Sequence, residues 1–169
     1  TEDSKKYERG FRELLLERGY DCKSGIRVQL KESTEREITI SYEKEQAVIT
    51  APEPAFLYRG LMSLLMQLEA HGTERPYAKR EEIWLDHNGC MVDSSRNCVM
   101  SVSAAKAWLR MQACVGMNVM MLYTEDTYEV PEYPYFGALR GRYTAEEFKE
   151  LDDYAQMLGI ELIPCIEAL

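Results

Sequence analysis

The stretch Gly116-Met-Asn-Val-Met-Met-Leu-Tyr123 predicts a buried strand that follows directly on a helix. Residues 102–115 have the pattern of that helix, and Gly116 fits the position just after its last turn, where a left-handed backbone is common. The same order returns later, where a helix that begins at Thr144 is followed by Gly159 and an apolar run at 160–166. Continuous apolar strands that alternate with helices indicate a parallel sheet covered on both faces.

Two further features of the sequence support the prediction of alternating helices and strands. Thr144 and Glu147 are spaced as a capping box, in which each side chain bonds a free backbone amide of the other residue, worth about 1 kcal/mol. A third apolar strand is predicted to start at Gly89, ahead of the first helix. The side chains that this helix is predicted to turn inward are Ala105, Trp108, Leu109 and Met111.

A parallel α/β pattern allows an open doubly wound sheet or a closed eightfold barrel. No G-x-G-x-x-G follows the strand at Gly89, so a dinucleotide site is not indicated. Three strands are too few for either architecture, and a barrel needs roughly 200 residues or more. We therefore expect the chain to be a piece of a longer protein.

The region before this pattern, residues 1–86, has a different periodicity. A helix is predicted from Ser4 to Arg18, and residues 26–30, 38–42 and 47–49 alternate apolar and polar side chains as three short strands do. A second helix carries leucines at helical spacing up to a stop at His71-Gly72. This region indicates a small packing domain, and nothing in it indicates chemistry.

The composition excludes several classes of function. The net charge is −9 and no basic stripe is present, so nucleic acid is not expected as a partner. No apolar run reaches the roughly 18 to 20 residues that span a bilayer, and we expect no membrane contact. The five cysteines lack metal-ligand spacing, and Cys90, Cys114 and Cys165 are expected to be buried apolar side chains in a reducing, cytoplasmic compartment.

Polar side chains follow the predicted parallel strands at their carboxyl ends, where parallel α/β folds place their sites. Carboxylates accept paired hydrogen bonds from sugar hydroxyls, and aromatic rings stack on pyranoses, so this set favours a carbohydrate-active enzyme. Each feature also has an ordinary alternative: a structural ion pair, a loop cap, solvated charges, or tyrosines packed over the rim. The charged candidates are Asp93, Arg96, Glu125, Asp126, Arg140 and Arg142. The last two lie in the tyrosine-rich loop at 129–143.

At these residues the chain resembles the family 20 glycoside hydrolases, the β-N-acetylhexosaminidases. Gly89-Cys-Met-Val-Asp-Ser-Ser-Arg-Asn97 is similar to their first barrel strand, and Tyr123-Thr-Glu-Asp126 to the end of their second. Tyr135-Phe-Gly and Arg140-Gly-Arg-Tyr-Thr144 are similar to the loop that follows. The resemblance covers essentially the whole chain. It implies an α/β fold in which a small α+β domain, residues 1–86, precedes the first three strands of a TIM (β/α)8 barrel, residues 87–169.

The resemblance also implies an activity, that of an exo-acting retaining glycosidase which removes terminal β-linked N-acetylglucosamine or N-acetylgalactosamine from an oligosaccharide or glycoconjugate. In this family the acetamido oxygen of the substrate is the nucleophile. The Asp-Glu pair that assists it follows the fourth strand, so the catalytic residues are expected beyond Leu169 and the chain alone is expected to be inactive. No cofactor or metal is implied, and an open barrel edge predicts association with a neighbour.

Five residues carry over as substrate-binding or site-supporting: Asn88, Asp93, Glu125, Asp126 and Arg140. Asp126 matches an acid that helps to hold a histidine near the catalytic acid, and Glu125 takes the acid position before it. Asn88 stands where the family commonly has an arginine that grips sugar hydroxyls. This departure leaves open a non-catalytic carbohydrate-binding relative. The motif-poor first region leaves open a structural or assembly domain unrelated to sugars.

Overall fold

The computed structural model describes residues 2–21, 23 and 25–166, and for residues 2–6 it describes the backbone alone. Within these ranges the chain forms four helices and seven strands, an α/β arrangement. In chain order they are α1 (Glu2–Glu17), β1 (Arg27–Glu32), β2 (Glu37–Glu43), β3 (Gln46–Ala51), α2 (Pro54–His71), β4 (Tyr77–Glu82), β5 (Gly89–Asp93), α3 (Val102–Val115), β6 (Val119–Tyr123), α4 (Ala145–Met157) and β7 (Glu161–Cys165).

The first four strands form one sheet, which we call the small sheet, in the order β1-β3-β2-β4. β1 runs parallel to β3, and the other neighbours are antiparallel. The β2–β3 hairpin turns through Lys44 and Glu45, both with positive φ, as two-residue hairpin loops require. The sequence predicted three strands here and missed β4. Its residues, Tyr-Ala-Lys-Arg-Glu-Glu, lack apolar alternation because β4 is a charged edge strand.

The other three strands form the parallel sheet, in the order β5-β6-β7 and with all strands parallel, as predicted. One of its faces packs against α3 and α4 and includes the buried side chains of Met120 and Leu122. The opposite face carries Met91, Met121 and Ile163 in register across the three strands. Met91 is 57% exposed on that face, so within the described residues the sheet is covered on one face rather than on both.

Helix α2 lies between the small sheet and α3. Four consecutive residues at 55–58 are buried, which means that the helix is covered on all sides at that level. Gly60 faces the small sheet, and a Cβ atom there would lie 2.6 Å from a methyl of Ile49. On another side, the ring of Tyr58 stacks on Phe11 of α1 with centroids 3.9 Å apart. A single apolar core therefore runs from the small sheet through α2 to the parallel sheet.

The predicted bounds of α3 and the predicted start of α4 are confirmed, whereas α1 runs from Glu2 to Glu17 rather than from Ser4 to Arg18. Gly116 follows α3 in the left-handed conformation, and Thr144 and Glu147 form both hydrogen bonds of the capping box. Two predicted inward side chains of α3 are wrong, because Trp108 and Met111 are 39% and 62% exposed. The helix buries its face through Ala105, Leu109, Gln112 and Ala113 instead.

The cysteines predicted to be buried are partly exposed. Cys90, Cys114 and Cys165 are free thiols at intermediate exposure, Cys98 is an exposed free thiol, and Cys22 lies outside the described residues. None of the described helices is long and apolar enough to cross a bilayer. The division into domains at residue 86 stays a prediction.

Candidate functional site

The carboxyl ends of β5, β6 and β7 meet at one edge of the parallel sheet, which we call the carboxyl edge. Asp93, Tyr123 and Cys165 are the register partners that end the three strands there. Hydrogen bonds just beyond the strands link neighbouring strands: the amide of Ser94, which follows β5, donates to the carbonyl of Tyr123 at the end of β6 at 2.8 Å. The amide of Thr124 similarly donates to the carbonyl of Cys165 at 3.0 Å. The residues after β5 and β6 are therefore held side by side.

Asp93 uses its carboxylate to shape the turn that follows β5. Its Oδ1 accepts hydrogen bonds from the amide of Ser95 at 3.0 Å, the hydroxyl of Ser95 at 2.8 Å and the amide of Arg96 at 3.2 Å. Its Oδ2 accepts from Nε of Arg96. The bonds from Ser95 are the main reason why the pKa of Asp93 lies well below its usual range. The predicted ion pair between Asp93 and Arg96 is thus part of a closed turn.

Arg96 projects from this turn over the end of β6. Its guanidinium carbon lies 5.5 Å from the ring centroid of Tyr123, which is a cation–π distance. The bond from Arg96 to Asp93 raises the pKa of the guanidinium, and Tyr123 and Glu125 add smaller contributions in the same direction. The carboxyl edge therefore presents an exposed cation beside an aromatic ring.

Glu125 has a left-handed backbone, with φ of 52°. This conformation is unfavourable for a residue with a long side chain and is better tolerated by glycine, asparagine or aspartate. Its carboxylate forms no hydrogen bond or ion pair with the residues that the structure describes. Strained backbones of this kind often occur at functional sites, because the surrounding structure must hold them in place.

Asp126 lies opposite Arg140 of the tyrosine-rich loop. The Nη1 atom of Arg140 is 3.6 Å from Oδ1 of Asp126, close enough for an ion pair but too long for a hydrogen bond. This Oδ1 atom is shielded from solvent and has no hydrogen-bond donor among the described residues. Arg140 also donates to the carbonyl of Ser95, so it joins the loops after β5 and β6. Asp126 thus presents an unused acceptor at the carboxyl edge.

A buried polar network underlies these charged side chains. The hydroxyl of Thr127 donates toward the carbonyls of Ser94 and Thr124, at 3.1 and 2.8 Å. The hydroxyl of Ser94 lies 3.1 Å from that of Tyr143, whose pKa is raised mainly by burial. Ser94, Thr127 and Tyr143 are not among the charged candidates predicted from the sequence. Their positions in the sequence, directly after the predicted strands and at the end of the tyrosine-rich loop, are the feature that could have identified them.

The tyrosine-rich loop folds onto the carboxyl edge as a structured segment. Arg142 donates to the carbonyl of Pro134 at 3.1 Å and also to that of Phe136. The ring of Phe136 meets that of Tyr128 edge-on, with centroids 5.2 Å apart. Arg142 is therefore a partner of loop carbonyls rather than of the nearby acids. The loop leaves Tyr135 91% exposed.

Asn88 lies at the opposite end of β5 from Asp93. The five residues of the strand separate them by about 16 Å at the usual rise of a β-strand. The backbone of Asn88 pairs with Asn118, whose side chain accepts from its amide at 2.8 Å. Its neighbours line a groove of about 210 Å³ that includes Arg59 and Trp84. The structure thus brings Asp93, Glu125, Asp126 and Arg140 to one edge and leaves Asn88 elsewhere.

No cluster of three or more histidine, cysteine, aspartate or glutamate side chains suited to a metal ion occurs in the part of the chain that the structure describes. The carboxyl edge instead carries the carboxylate of Asp93, which is fully hydrogen-bonded within its own turn, and the shielded Oδ1 atom of Asp126. Exposed guanidinium groups and aromatic rings lie beside them.

No family model matches the chain, and no curated protein is similar to it in sequence. Many solved structures resemble it, and among them are β-N-acetylhexosaminidases of glycoside hydrolase family 20. An inactive mutant of the exo-β-N-acetylglucosaminidase from Vibrio harveyi superposes with a TM-score of 0.74 at 18% identity. The alignment covers 97% of this chain and 31% of that enzyme.

Two further enzymes give the same result. The β-N-acetylhexosaminidase from Streptomyces coelicolor has a TM-score of 0.71 at 20% identity, covering 97% of this chain and 40% of the enzyme. The β-N-acetylhexosaminidase from Bacteroides fragilis has a TM-score of 0.70 at 23% identity, and the alignment covers 94% of this chain and 37% of that enzyme. The resemblance predicted from the sequence is thus confirmed as a likeness of fold. The chain spans between 31% and 40% of the length of these enzymes.

Proposed function

We propose that the chain is part of an exo-acting retaining glycosidase that hydrolyses terminal β-linked N-acetylhexosamine by substrate-assisted catalysis. Residues 1–86 form the small domain that precedes the barrel, and residues 87–169 form its first three strands. In this proposal the acetamido oxygen of the substrate attacks the anomeric carbon, and carboxylates outside this chain orient it and transfer the proton. The chain contributes one side of the sugar pocket.

The observation that carries the proposal is the unused acceptor of Asp126 at the carboxyl edge of a fold shared with hexosaminidases. A carboxylate oxygen without a donor is costly when it is shielded from water, by about 1 to 3 kcal/mol or more. A histidine or other donor from a following barrel strand would remove this cost. Arg140 lies at ion-pair distance from Asp126, and it ties the loop to the carbonyl of Ser95.

Glu125, Arg96 and Tyr123 line the same edge and are proposed to contact sugar hydroxyls and a sugar face. Solved neighbours include a hexosaminidase bound to N-acetylglucosamine and another bound to the product GlcNAc. We extend that ligand class to this chain as part of the proposal. A reducing, cytoplasmic location is part of the proposal and rests on the sequence alone.

The test uses a longer protein that contains this chain and completes the barrel. It should release p-nitrophenol from p-nitrophenyl N-acetyl-β-D-glucosaminide, and the 169-residue chain alone should not. General acid catalysis typically contributes 10² to 10⁴-fold, and the proposed acid lies outside the chain. The Asp126→Asn variant of the longer protein should lose at least about tenfold in kcat, because the group that Asp126 holds would be misplaced. Failure of the longer protein both to release p-nitrophenol and to bind N-acetylglucosamine would contradict the proposal.

A second candidate function is that of a non-catalytic carbohydrate-binding relative. It rests on the sequence departure at Asn88, which stands where the family commonly has an arginine; because Asn88 lies at the opposite end of β5 from Asp93, this departure leaves the side chains at the carboxyl edge unchanged. In the same assay this candidate predicts that the longer protein binds N-acetylglucosamine, measured by calorimetry, and releases no p-nitrophenol.

A further inference from the structure

Three buried residues beneath the carboxyl edge, Ser94, Thr127 and Tyr143, are bonded to one another in a closed arrangement that we call the hydroxyl triangle. The hydroxyl of Thr127 donates to the carbonyl of Ser94 at 3.1 Å. The amide of Tyr143 donates to the carbonyl of Thr127 at 3.0 Å. The triangle closes where the hydroxyl oxygens of Ser94 and Tyr143 lie 3.1 Å apart. None of the three residues is more than 3% exposed.

The hydrogen bonds of the hydroxyl triangle have a defined direction. The hydroxyl of Tyr143 donates to the carbonyl of Met100, so it accepts the hydroxyl hydrogen of Ser94. The hydroxyl oxygen of Ser94 in turn accepts from the amide of Met100 at 3.0 Å. Each hydroxyl hydrogen of the triangle therefore has an acceptor. A buried polar network that is satisfied in this way is rigid and holds a single arrangement.

The hydroxyl triangle joins the three segments that carry the charged side chains of this edge: the turn after β5, the loop after β6 and the tyrosine-rich loop. Its members each lie within three residues of one of these side chains, which are Asp93, Asp126 and Arg140. The contacts of Arg140 span the segments, since it donates to the carbonyl of Ser95 and lies 3.6 Å from Oδ1 of Asp126. A change in the spacing of the segments would break both contacts.

We propose that Thr127 and Tyr143 are positioning residues of the candidate site, which fix Asp126 and Arg140 relative to the turn of Asp93. Both are buried, so each acts through the backbone to which it is bonded and not by touching a substrate. The proposal rests on the proposed function, and it adds that hydrolysis depends on two hydroxyls beneath the site. A purely structural role for these hydroxyls would change the stability of the chain and nothing else.

The first experiment records ¹H–¹⁵N spectra of the 169-residue chain at neutral pH. The amides of Ser95 and Arg96 donate to Asp93 and therefore report on the turn. Thr127→Val has nearly the same shape but no hydroxyl, so it releases the carbonyl of Ser94. Both amide resonances should then move upfield, because their hydrogen bonds to Asp93 lengthen. Thr127→Ser keeps a hydroxyl and should leave both resonances close to their original positions.

Tyr143→Phe should move the same two resonances. Its matched control is Tyr58→Phe, which also removes a buried tyrosine hydroxyl that donates to a carbonyl, but between α2 and Met157 of α4. This control should lower the urea midpoint and leave both resonances in place, because a loss of stability alone does not move the resonances of the folded state. Unmoved resonances in both triangle variants, or equal movement in the control, would overturn the proposal.

The second experiment measures p-nitrophenol release by the longer protein that completes the barrel. Thr127→Val should lower kcat roughly tenfold and change KM by less than about twofold, since a small misplacement acts mainly on the transition state. Thr127→Ser should restore kcat to within about threefold. In an Asp126→Asn background, Thr127→Val should lower kcat by less than about twofold, because the group that it positions is already lost. A full tenfold loss in that background, or a rise in KM alone, would overturn the proposal.

A failure of the proposed function would be recognised separately. A longer protein that releases no p-nitrophenol would speak against the hydrolase, whatever the spectra show. The resonances of Ser95 and Arg96 would then decide alone whether Thr127 and Tyr143 position this edge.

Discussion

The hydroxyl of Tyr58, in α2, donates a hydrogen bond to the carbonyl of Met157 in α4 at 3.0 Å. This bond joins a helix of the small-sheet region to the last turn of a helix that covers the parallel sheet. The hydroxyl is buried, and burial raises the pKa of Tyr58 far above its usual value. The two regions are therefore joined by a polar contact as well as by apolar packing.

Removing this hydroxyl should destabilise both regions together. In Tyr58→Phe the carbonyl of Met157 loses its donor, which costs about 1 to 2 kcal/mol. Urea unfolding followed by far-UV circular dichroism and by the fluorescence of Trp84 and Trp108 should show one shared shift to lower urea. Tyr77→Phe, at an exposed edge strand, is the control and should shift neither. A shift seen by only one of the two signals would show that the regions unfold separately.

Two glycines of the tyrosine-rich loop provide a matched test of how Asp126 is held. Both have positive φ, so alanine at either costs about 1 to 2 kcal/mol in the backbone. A Cβ atom at Gly137 would also lie 2.2 Å from the carbonyl oxygen of Asp126, whereas at Gly141 the nearest atom, on Val99, is 3.8 Å away. Gly137→Ala should therefore be clearly less stable to urea than Gly141→Ala. Equal stabilities would mean that the loop does not press on Asp126.

The carboxylate of Asp93 should make stability depend on acidity. The ordinary pKa of aspartate is about 3.9, and the bonds from Ser95 hold that of Asp93 well below it in the folded chain. The charged form thus favours folding above about pH 4, and this contribution is lost as the pH falls toward the folded pKa. Asp93→Asn should lower the urea midpoint at pH 7 and lower it less at pH 2.5.

The control for Asp93 is Glu74→Gln, which changes an exposed carboxylate outside the helices and strands. It should leave the midpoint unchanged at both pH values. A deficit of Asp93→Asn that is equally large at pH 2.5 and pH 7 would contradict the assignment of the charge effect to Asp93.

Leu139 is fully exposed and has φ of 67°, a conformation that costs leucine about 1 to 2 kcal/mol. Asparagine tolerates it better, so Leu139→Asn should raise the midpoint of thermal unfolding by a few degrees. Ala138→Asn, at the preceding exposed residue with negative φ, should give no such gain. A lower midpoint for Leu139→Asn would show that the leucine side chain makes a stabilising contact.

Much of the fold could be predicted from the sequence, because the spacing of apolar residues and the capping and glycine residues indicated the same helices and strands. The bounds of α3, the left-handed Gly116 and the capping box at Thr144 were all predicted from local patterns. β4 was missed, since a charged edge strand has no apolar face to reveal it. Trp108 was misassigned because helical spacing defines a face but not which neighbour covers it.

Part of the candidate site could also be predicted, because it follows from the order of the strands along the chain. Residues that follow parallel strands must meet at one edge, which placed Asp93 and Asp126 together. The roles of individual side chains depended on distances that no spacing contains. Arg142 turned to the carbonyls of its own loop, and Arg140 reached across to the carbonyl of Ser95.

Helix α2 is covered on all sides at residues 55–58, and this limits how the chain can be recombined. A sheet with its own helix is often treated as a cassette that can be moved to another protein. Here helix α2 belongs to both halves of the core, so transplanting the small sheet with α2 would expose side chains that pack against α3 and α4. Any graft would have to carry those helices with it or redesign the surface around Tyr58.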